Sequence, residues 1–387
     1  MGGRKIVIAQ QGTLVNEIIP AQWVNDYKLH GENSFVFNTP ELWEKMMLHP
    51  YSINDRRVNG DTLEYLFTVA GPTGASSFVN WTALLCELAD AAADGIFDGI
   101  ETAEQLAQSS AAMAAVANSE TAMAAVTASE TAMNGICSVY AAVETLMATP
   151  YYDEYIRENS MAIAKAAVAL ANSSEFSVIS SVAEMAENST AMSALAASET
   201  AMSALANSAT GRTYISGSKY YNAYIKENTM CIAKMAVGFA GLDSAAYSSM
   251  AGVAAESTAM TAVAASSTAM TAVAASSVAI SAIEASGVAL DKLAASPLAK
   301  TTTVNTNTSY GQKIAGNVFV ISINQTVSGS DSRYFYLGYT TVGDAEITVK
   351  CNACYSTDKA IRRFFDGLNM KNSYTSDWNV SVKYIDC

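Results

Sequence analysis

The chain has 387 residues, enough for two or three domains, and it carries a formal net charge of −14 with only 15% charged residues. This acidic balance argues against a nucleic-acid-binding protein, whose phosphate contacts need a basic surface. The Ala-rich stretches are interrupted by Ser, Thr and Asn every few positions. They fall short of the roughly 18–20 apolar residues that a membrane-spanning helix needs.

The first 80 residues predict a mixed α/β domain. The apolar runs 5–9 and 34–37 are typical of strands, and Thr39 followed by Pro40 is typical of the start of a helix. The next segment, 81–149, is predicted to open with an acidic amphipathic helix that reaches about Gln108 and leads into an array of ten-residue repeats.

The ten-residue repeat has the consensus Ser-x-Thr-Ala-Met-x-Ala-Val-Ala-x and forms three arrays, in segments 81–149, 188–217 and 242–299. A fixed short period indicates one structural unit copied along an axis, with each copy contacting mainly its neighbours. The fifth and eighth positions are bulky and share a helical face. We predict that they form the assembly core of the repeats: Met113, Val116, Met123, Val126, Met133, Met192, Leu195, Met202, Leu205, Met260, Val263, Met270, Val273, Ile280 and Ile283.

Helical geometry does not fit a ten-residue period. Ten residues at about 100° each turn through 1000°, which is 80° short of three full turns. A continuous helix must therefore overwind, or it must break in each repeat, and the Ser that opens the repeat favours a break because it is a good N-cap. We expect helices of about two turns. Each of these helices buries little apolar surface alone, so we expect it to pack against neighbouring chains in a trimeric rod. A single-chain solenoid or globular helical packing and a largely disordered linker are the alternatives.

A second duplication lies between the arrays. Residues 151–168 match residues 220–237 at an offset of 69, and both copies begin with two tyrosines. We therefore divide the centre of the chain into a first tyrosine module at 150–187 and a second at 218–241, separated by the second array. Duplication at two length scales indicates a repeat protein.

The composition changes at about residue 300, where Ala gives way to Thr, Val, Tyr and Asn. The segment 300–387 predicts a β-rich domain with strands at 317–323, 333–337, 346–350 and 380–385. One short helix is expected after Ser356, because four apolar side chains would share its face: Ile361, Phe364, Phe365 and Leu368. The aromatic side chains in one strand are candidate receptor contacts or, equally well, core residues: Tyr334, Tyr336 and Tyr339.

The sequence offers no convincing catalytic, cofactor-binding or metal-binding residues, and we expect a protein that is not an enzyme. Only two histidines are present, both in the first 50 residues. Cys351 and Cys354 have half of a zinc-type spacing without a second pair. We interpret the cysteines as structural thiols. The alternative is a disulfide bridge from Cys351 or Cys354 to Cys387.

The repeats of the pattern Ser-Glu/Ser-Thr-Ala-Met-x-Ala-Val/Leu-Ala, and the order of an N-terminal domain, a repeat rod and a β-rich tip, resemble fibre and appendage proteins of tailed bacteriophages. The resemblance implies a homotrimeric tail or head fibre, assembled in the host cytoplasm and located in the virion. Residues 1–80 would be the attachment domain that binds other virion proteins. Residues 300–387 would be a tip that binds a host-surface glycan or protein, without nucleic acid and without membrane insertion. The alternative is an internal connector, collar, baseplate or capsid decoration protein.

Overall fold

The structure is a computed structural model, and it forms two compact units, 1–182 and 183–387. Each unit contains a run of short helices, and the second also contains an antiparallel sheet. The residues that the structure describes are 19–36, 38–39, 42, 96, 100, 102–325, 332–352, 359–373 and 377–387.

The described part of the N-terminal region is helical. Helix α1 spans Ile19–His30 and is followed by a 3-10 turn at Gly31–Asn33. The strand predicted at 34–37 is wrong for its described residues, which form a turn: Ser34 N donates to Gly31 O, and Val36 N donates to the Asp26 carboxylate at 3.2 Å. The strand predicted at 5–9 lies outside the described residues, as does the helix predicted from Thr39 apart from Leu42.

Between residues 102 and 171 the structure describes seven further helices of the first unit, separated by one to four residues. The acidic helix predicted to run to Gln108 is not continuous, because Thr102 adopts an extended conformation and starts a new helix with a complete capping box. The helices are α2 (Ala103–Gln108), α3 (Ser110–Ala117), α4 (Glu120–Ala128), α5 (Glu130–Cys137), α6 (Tyr140–Met147), α7 (Tyr152–Tyr155) and α8 (Ser160–Leu170).

The second unit repeats this construction and adds a short π-helix at Tyr221–Ile225. Helix α9 begins at the boundary between the units. The helices are α9 (Val182–Glu187), α10 (Ser189–Ala197), α11 (Glu199–Asn207), α12 (Ala209–Gly217), α13 (Thr229–Phe239), α14 (Met250–Ala255), α15 (Ser257–Ala265), α16 (Ser267–Ala274), α17 (Ser277–Glu284) and α18 (Gly287–Ala294).

The expected break in each repeat is confirmed. Ser266, Ser276 and Ser286 each adopt an extended conformation, and each hydroxyl accepts a hydrogen bond from the backbone N–H three residues later. The chain bends by 104° between α16 and α17. Three bends of this size turn the chain through most of a circle. The ten-residue repeat, which falls 80° short of three full helical turns, is therefore accommodated by breaking the helix and not by overwinding it.

Seven of these helices pack on the third helix further along the chain. In the first unit the pairs are α2 with α5, α3 with α6, α4 with α7, and α5 with α8. In the second unit they are α13 with α16, α14 with α17, and α15 with α18. Successive helices of each unit therefore follow a superhelical path, which we call the coil. One turn of the coil uses three helices, or about thirty residues. The helical arrays are single-chain solenoids, and the packing partners come from the same chain, so the argument that neighbouring chains must supply them was wrong.

The C-terminal sheet has six antiparallel strands in the order β1-β6-β2-β5-β3-β4. The four predicted strands are confirmed within longer ones. The strands are β1 (Lys300–Thr306), β2 (Gly311–Gln325), β3 (Ser332–Tyr339), β4 (Glu346–Asn352), β5 (Lys359–Asn372) and β6 (Trp378–Asp386). Each face of the sheet carries buried apolar residues: Phe319 packs toward the helices, while Val318 and Val320 pack in a separate cluster within the sheet.

The helix predicted after Ser356 is wrong, because 359–372 form strand β5. The strand pairs with both β2 and β3, and three irregularities interrupt its pairing with β2, near Arg362, near Gly316 and between Gln312 and Ile314. Arg362 has a φ of +54° and Gly316 a φ of +78°. An irregularity can shift the alternation of side chains by one residue, so Phe365 and Leu368, three residues apart, lie in one cluster, against which Ile361 also packs four residues before Phe365. That spacing resembles a helical face.

Candidate functional site: the repeat core, the sheet junction and an exposed tyrosine cluster

The fifteen residues predicted to form the assembly core of the repeats are buried inside the two coils of a single chain. Every one of the fifteen predicted bulky residues is at most 1% exposed, from Met113 in the first unit to Ile283 in the second. Alanines beside them, such as Ala259 and Ala269, are also fully buried and let the helices approach closely. The methionines and aliphatic residues contribute through packing, since each buried side chain of this size stabilises by about 1.5–3 kcal/mol.

A second set of contacts joins successive turns through residues 32 positions apart. Ser286 Oγ donates to Ala254 O at 2.6 Å, and Ser296 Oγ donates to Ala264 O at 2.5 Å. The Nδ2 groups of Asn159 and Asn228 make the equivalent bonds to Thr127 O and Ala196 O. Thr149 and Ser218 donate in the same way to Ala117 O and Ala186 O.

These inter-turn hydrogen bonds supply donors to backbone carbonyls at the C-terminal ends of the short helices. The last four carbonyls of a helix have no partner within that helix, and all six acceptors lie in the last turn of theirs. Ser286 also accepts from Ala289 N at 3.3 Å. One side chain therefore caps the start of its own helix and the end of the helix one turn earlier. This double cap explains why a hydroxyl or an amide stands at the break.

The two tyrosine modules each bury a lysine at equivalent positions. Lys165 Nζ lies 2.8 Å from Asn134 Oδ1, 2.8 Å from Phe176 O and 3.2 Å from Glu130 Oε1, with no exposed surface. Lys234, 69 residues later, is 1% exposed and donates to Ser244 O at 3.3 Å. Burial lowers the pKa of Lys234, and the carboxylate of Glu199 only partly offsets this.

The end of the second coil is fused to the sheet by a shared core. Ile283 and Leu293 from the helices lie in one buried cluster with Phe319 and Phe364 from the sheet, whose rings are 4.9 Å apart. The segment 300–387 is therefore packed directly on the repeats.

A partly buried carboxylate lies at this junction. Glu284 Oε1 accepts from Phe364 N at 3.0 Å, and its other oxygen is 3.7 Å from Arg363 Nε. Burial raises the pKa of Glu284, although both of these contacts act in the opposite direction.

The candidate receptor contacts lie on an exposed face of the sheet. Tyr334 is 40% exposed, and Tyr336 points to the same side of β3, opposite the buried Phe335. Lys371 Nζ lies 4.9 Å from the centre of the Tyr336 ring. The backbone of Tyr339 belongs to β3, and its side chain lies outside the described residues.

The neighbouring loop extends this tyrosine cluster. Tyr310 is 38% exposed, its hydroxyl donates to Glu346 Oε2, and its ring centre is 4.2 Å from Lys371 Nζ. Glu346 is also 3.7 Å from Lys371 Nζ. The cluster offers flat rings beside one cation and one carboxylate, which suits the binding of polar, ring-shaped groups by stacking and hydrogen bonding.

Two of the described cysteines are buried thiols, and a third is partly buried. Cys137 and Cys231 are free, and burial raises the pKa of each to about 12. Cys387 is free as well and donates to Ile385 O at 3.6 Å. The structure describes the backbone of Cys351 and does not describe Cys354, but because Cys387 is free, the alternative of a bridge from either of them to Cys387 is not formed in this structure.

Two further properties concern the described residues alone. No group of three or more His, Cys, Asp or Glu side chains among them is arranged to hold a metal ion. In the same part of the chain, no single helix has the length and hydropathy for a membrane span; helices α16 and α17 reach that threshold only as a pair, with the 104° bend between them.

Comparisons with known proteins do not place the chain in a family. No protein-family profile matches the sequence, and no curated protein matches it significantly.

The sequence interpretation missed the buried lysines and the double caps. A signal for the lysines was present, because Lys165 and Lys234 are the only charged residues of the apolar helices α8 and α13 and are equivalent in the 69-residue duplication. The double caps had no such signal. A bond between residues 32 apart depends on the number of helices in one turn, which the period of ten does not specify.

Proposed function

We propose that the chain is a non-enzymatic structural protein of a tailed-phage particle, a tail or head fibre that carries the sheet 300–387 toward the host surface. The observation that carries this proposal is the construction of the second unit. Repeats that bury a core through identical local contacts can lengthen a protein without changing its cross-section. Here such an array ends directly in a sheet with an exposed aromatic cluster.

The proposal assigns separate roles along the chain. Residues 1–80 would bind other virion proteins, the two coils would act as spacers, and the tyrosine cluster would contact a host-surface glycan or protein. A homotrimer remains part of the expectation for a fibre. Because the repeat core is filled within one chain, copies would associate through surfaces other than that core.

The experiment uses point variants, because deletion of the sheet would uncover Ile283 and Leu293 at the end of the coil. Phage particles carrying Tyr334→Ala together with Tyr336→Ala should assemble normally and adsorb to the host more slowly. Thr261→Ala, at an exposed repeat position, is the matched control and should leave adsorption unchanged.

Three outcomes distinguish the possibilities. Reduced adsorption with normal assembly supports a host-binding tip. Normal adsorption of the double variant contradicts that role for the cluster and favours a connector inside the particle. Absence of the chain from purified particles, tested by mass spectrometry of their proteins, contradicts the structural role altogether.

A further inference from the structure

The contacts of Lys165 form a reactive arrangement, independently of the proposed function. Its amine contacts a carboxamide and a carboxylate at once, Asn134 Oδ1 at 2.8 Å and Glu130 Oε1 at 3.2 Å. Glu130 and Asn134 are four residues apart on helix α5 and so share one of its faces. Lys165 reaches them from helix α8, which packs on α5.

We propose that Lys165 and Asn134 become joined by a covalent amide bond, with Glu130 as the catalytic acid–base group. The Lys165 amine, freed of a proton by the Glu130 carboxylate, attacks Cγ of Asn134. A bond forms between Nζ and Cγ, and the bond from Cγ to Nδ2 breaks. Two protons from Lys165 pass through Glu130 to the departing nitrogen, which leaves as ammonium. The carboxylate is restored, nothing is oxidised or reduced, and no co-reactant is needed.

The surroundings of the lysine favour this step. Groups held in contact by the fold react with effective concentrations of about 10⁵ M or more when their geometry is aligned. The hydrogen bond from Nζ to Phe176 O fixes the third side of the amine and limits its rotation. Lys165 has no exposed surface, so its amine is shielded from bulk water, while the half-exposed Glu130 leaves a path by which the released ammonium can depart. Formation of the amide also removes a buried ammonium, whose desolvation is costly.

The duplication supplies an internal control. Lys234 is equivalent to Lys165, and Glu199 is equivalent to Glu130, but Ser203 stands where the first copy has Asn134. The Ser203 hydroxyl donates to Glu199 O at 2.8 Å and offers no carboxamide carbon. The mechanism therefore predicts a cross-link at Lys165 and an unmodified amine at Lys234.

A cross-link here would join successive turns of the first coil. Asn134 and Lys165 are 31 residues apart, close to the thirty residues of one turn. The bond would close a loop of that length, which in the chain-entropy description of cross-links removes freedom mainly from the unfolded chain. It would hold the coil against being pulled open along its axis, which noncovalent contacts alone resist less well.

The test is mass spectrometry of the purified full-length chain, denatured and reduced. The expected result is a mass about 17 Da below that of the sequence, the loss of one ammonia. Trypsin should fail to cleave after Lys165, should cleave after Lys234, and should release a branched peptide that contains Asn134 and Lys165. A chain of full sequence mass that is cleaved after Lys165 would overturn the proposal.

Two variants separate the chemistry from folding. Asn134→Ser copies the natural residue of the second module and should give the unlinked chain. Glu130→Gln keeps a polar side chain at a half-exposed position but removes the base, so it should also stay unlinked. Circular dichroism should show unchanged helix content in both. Loss of 17 Da in Asn134→Ser would show that another residue pair reacts, and cross-linking of Glu130→Gln at the wild-type level would exclude Glu130 as the acid–base group.

Discussion

The double cap at Ser286 makes a quantitative prediction for Ser286→Ala. The substitution removes the acceptor for Ala289 N and the donor to Ala254 O. Loss of an N-cap costs about 1 kcal/mol. The carbonyl of Ala254, whose residue is fully buried, also loses its inter-turn donor, which costs about 1–3 kcal/mol. We therefore expect a loss of about 2–4 kcal/mol in the free energy of unfolding.

Ser276→Ala is the matched control in the preceding repeat. Ser276 Oγ accepts from Ala279 N at 3.2 Å, and no inter-turn bond from it occurs among the described residues. Its substitution should cost only the cap, about 1 kcal/mol. The assay is urea denaturation followed by circular dichroism at 222 nm, with hydrogen exchange used to localise the change because long repeat arrays can depart from two-state unfolding. Equal losses for the two variants would refute the double cap.

Two further predictions concern the second unit. A Cβ at Gly238 would lie 2.1 Å from Ala206 O, whereas a Cβ at Gly287 would meet nothing within 4 Å. Gly238→Ala should therefore destabilise the unit by about 1–3 kcal/mol or more, and Gly287→Ala should be neutral or slightly stabilising in the same denaturation assay. Burial raises the pKa of Glu284, so the folded state binds its proton more readily than the unfolded chain, and ionisation of this group lowers stability as the pH rises above its unfolded pKa. Glu284→Gln should accordingly be more stable than the wild type at pH 7, with the difference shrinking as the pH falls from the folded pKa toward the unfolded pKa and lost below the latter; a difference that stays constant from pH 3 to pH 7 would show that ionisation is not the cause.

The sequence was sufficient to predict the local structure of the repeats. The mismatch between a period of ten and the helical repeat implies either overwinding or a break, and the Ser at the start of each repeat favours the break. The bulky fifth and eighth positions, such as Met260 and Val263, were correctly placed in the core. These properties depend on neighbouring residues along the chain, which a sequence pattern records directly.

The number of helices in one turn could not be predicted in the same way. It depends on the bend at each break, 104° between α16 and α17, and the pattern fixes only where the breaks occur. The same stripe of Met and Val could have faced other copies of the chain. For that reason the sequence pattern alone does not distinguish a trimeric rod from a single-chain solenoid.

The sheet illustrates a different limit. The alternation of apolar and polar residues predicted four strands correctly, including the strand that contains Tyr334 and Tyr336. It failed in β5, where Phe365 and Leu368 are three residues apart and yet lie in one cluster, because an irregularity in the pairing with β2 falls between them. A bulge is set by pairing with a strand distant in sequence, and a local pattern of apolar residues cannot distinguish it from a helical face.

The distance between equivalent positions one turn apart tests the coil most directly. Thr258 and Val288 are exposed residues near the starts of α15 and α18, which pack together. Spin labels would be attached to Thr258→Cys and Val288→Cys in a chain whose six native cysteines are replaced by alanine. The distance between the two labels would be measured by pulsed electron paramagnetic resonance. Dilution with unlabelled protein would restrict this measurement to labels within one chain.

Packed helices have axes about 8–10 Å apart, so the coil predicts two labels within about 20 Å of each other. Helices laid end to end would separate the same thirty residues by about 45 Å, at 1.5 Å per residue. A short, narrow distance distribution would support the single-chain solenoid. A distribution centred near 45 Å would contradict it and return the repeats to an extended rod.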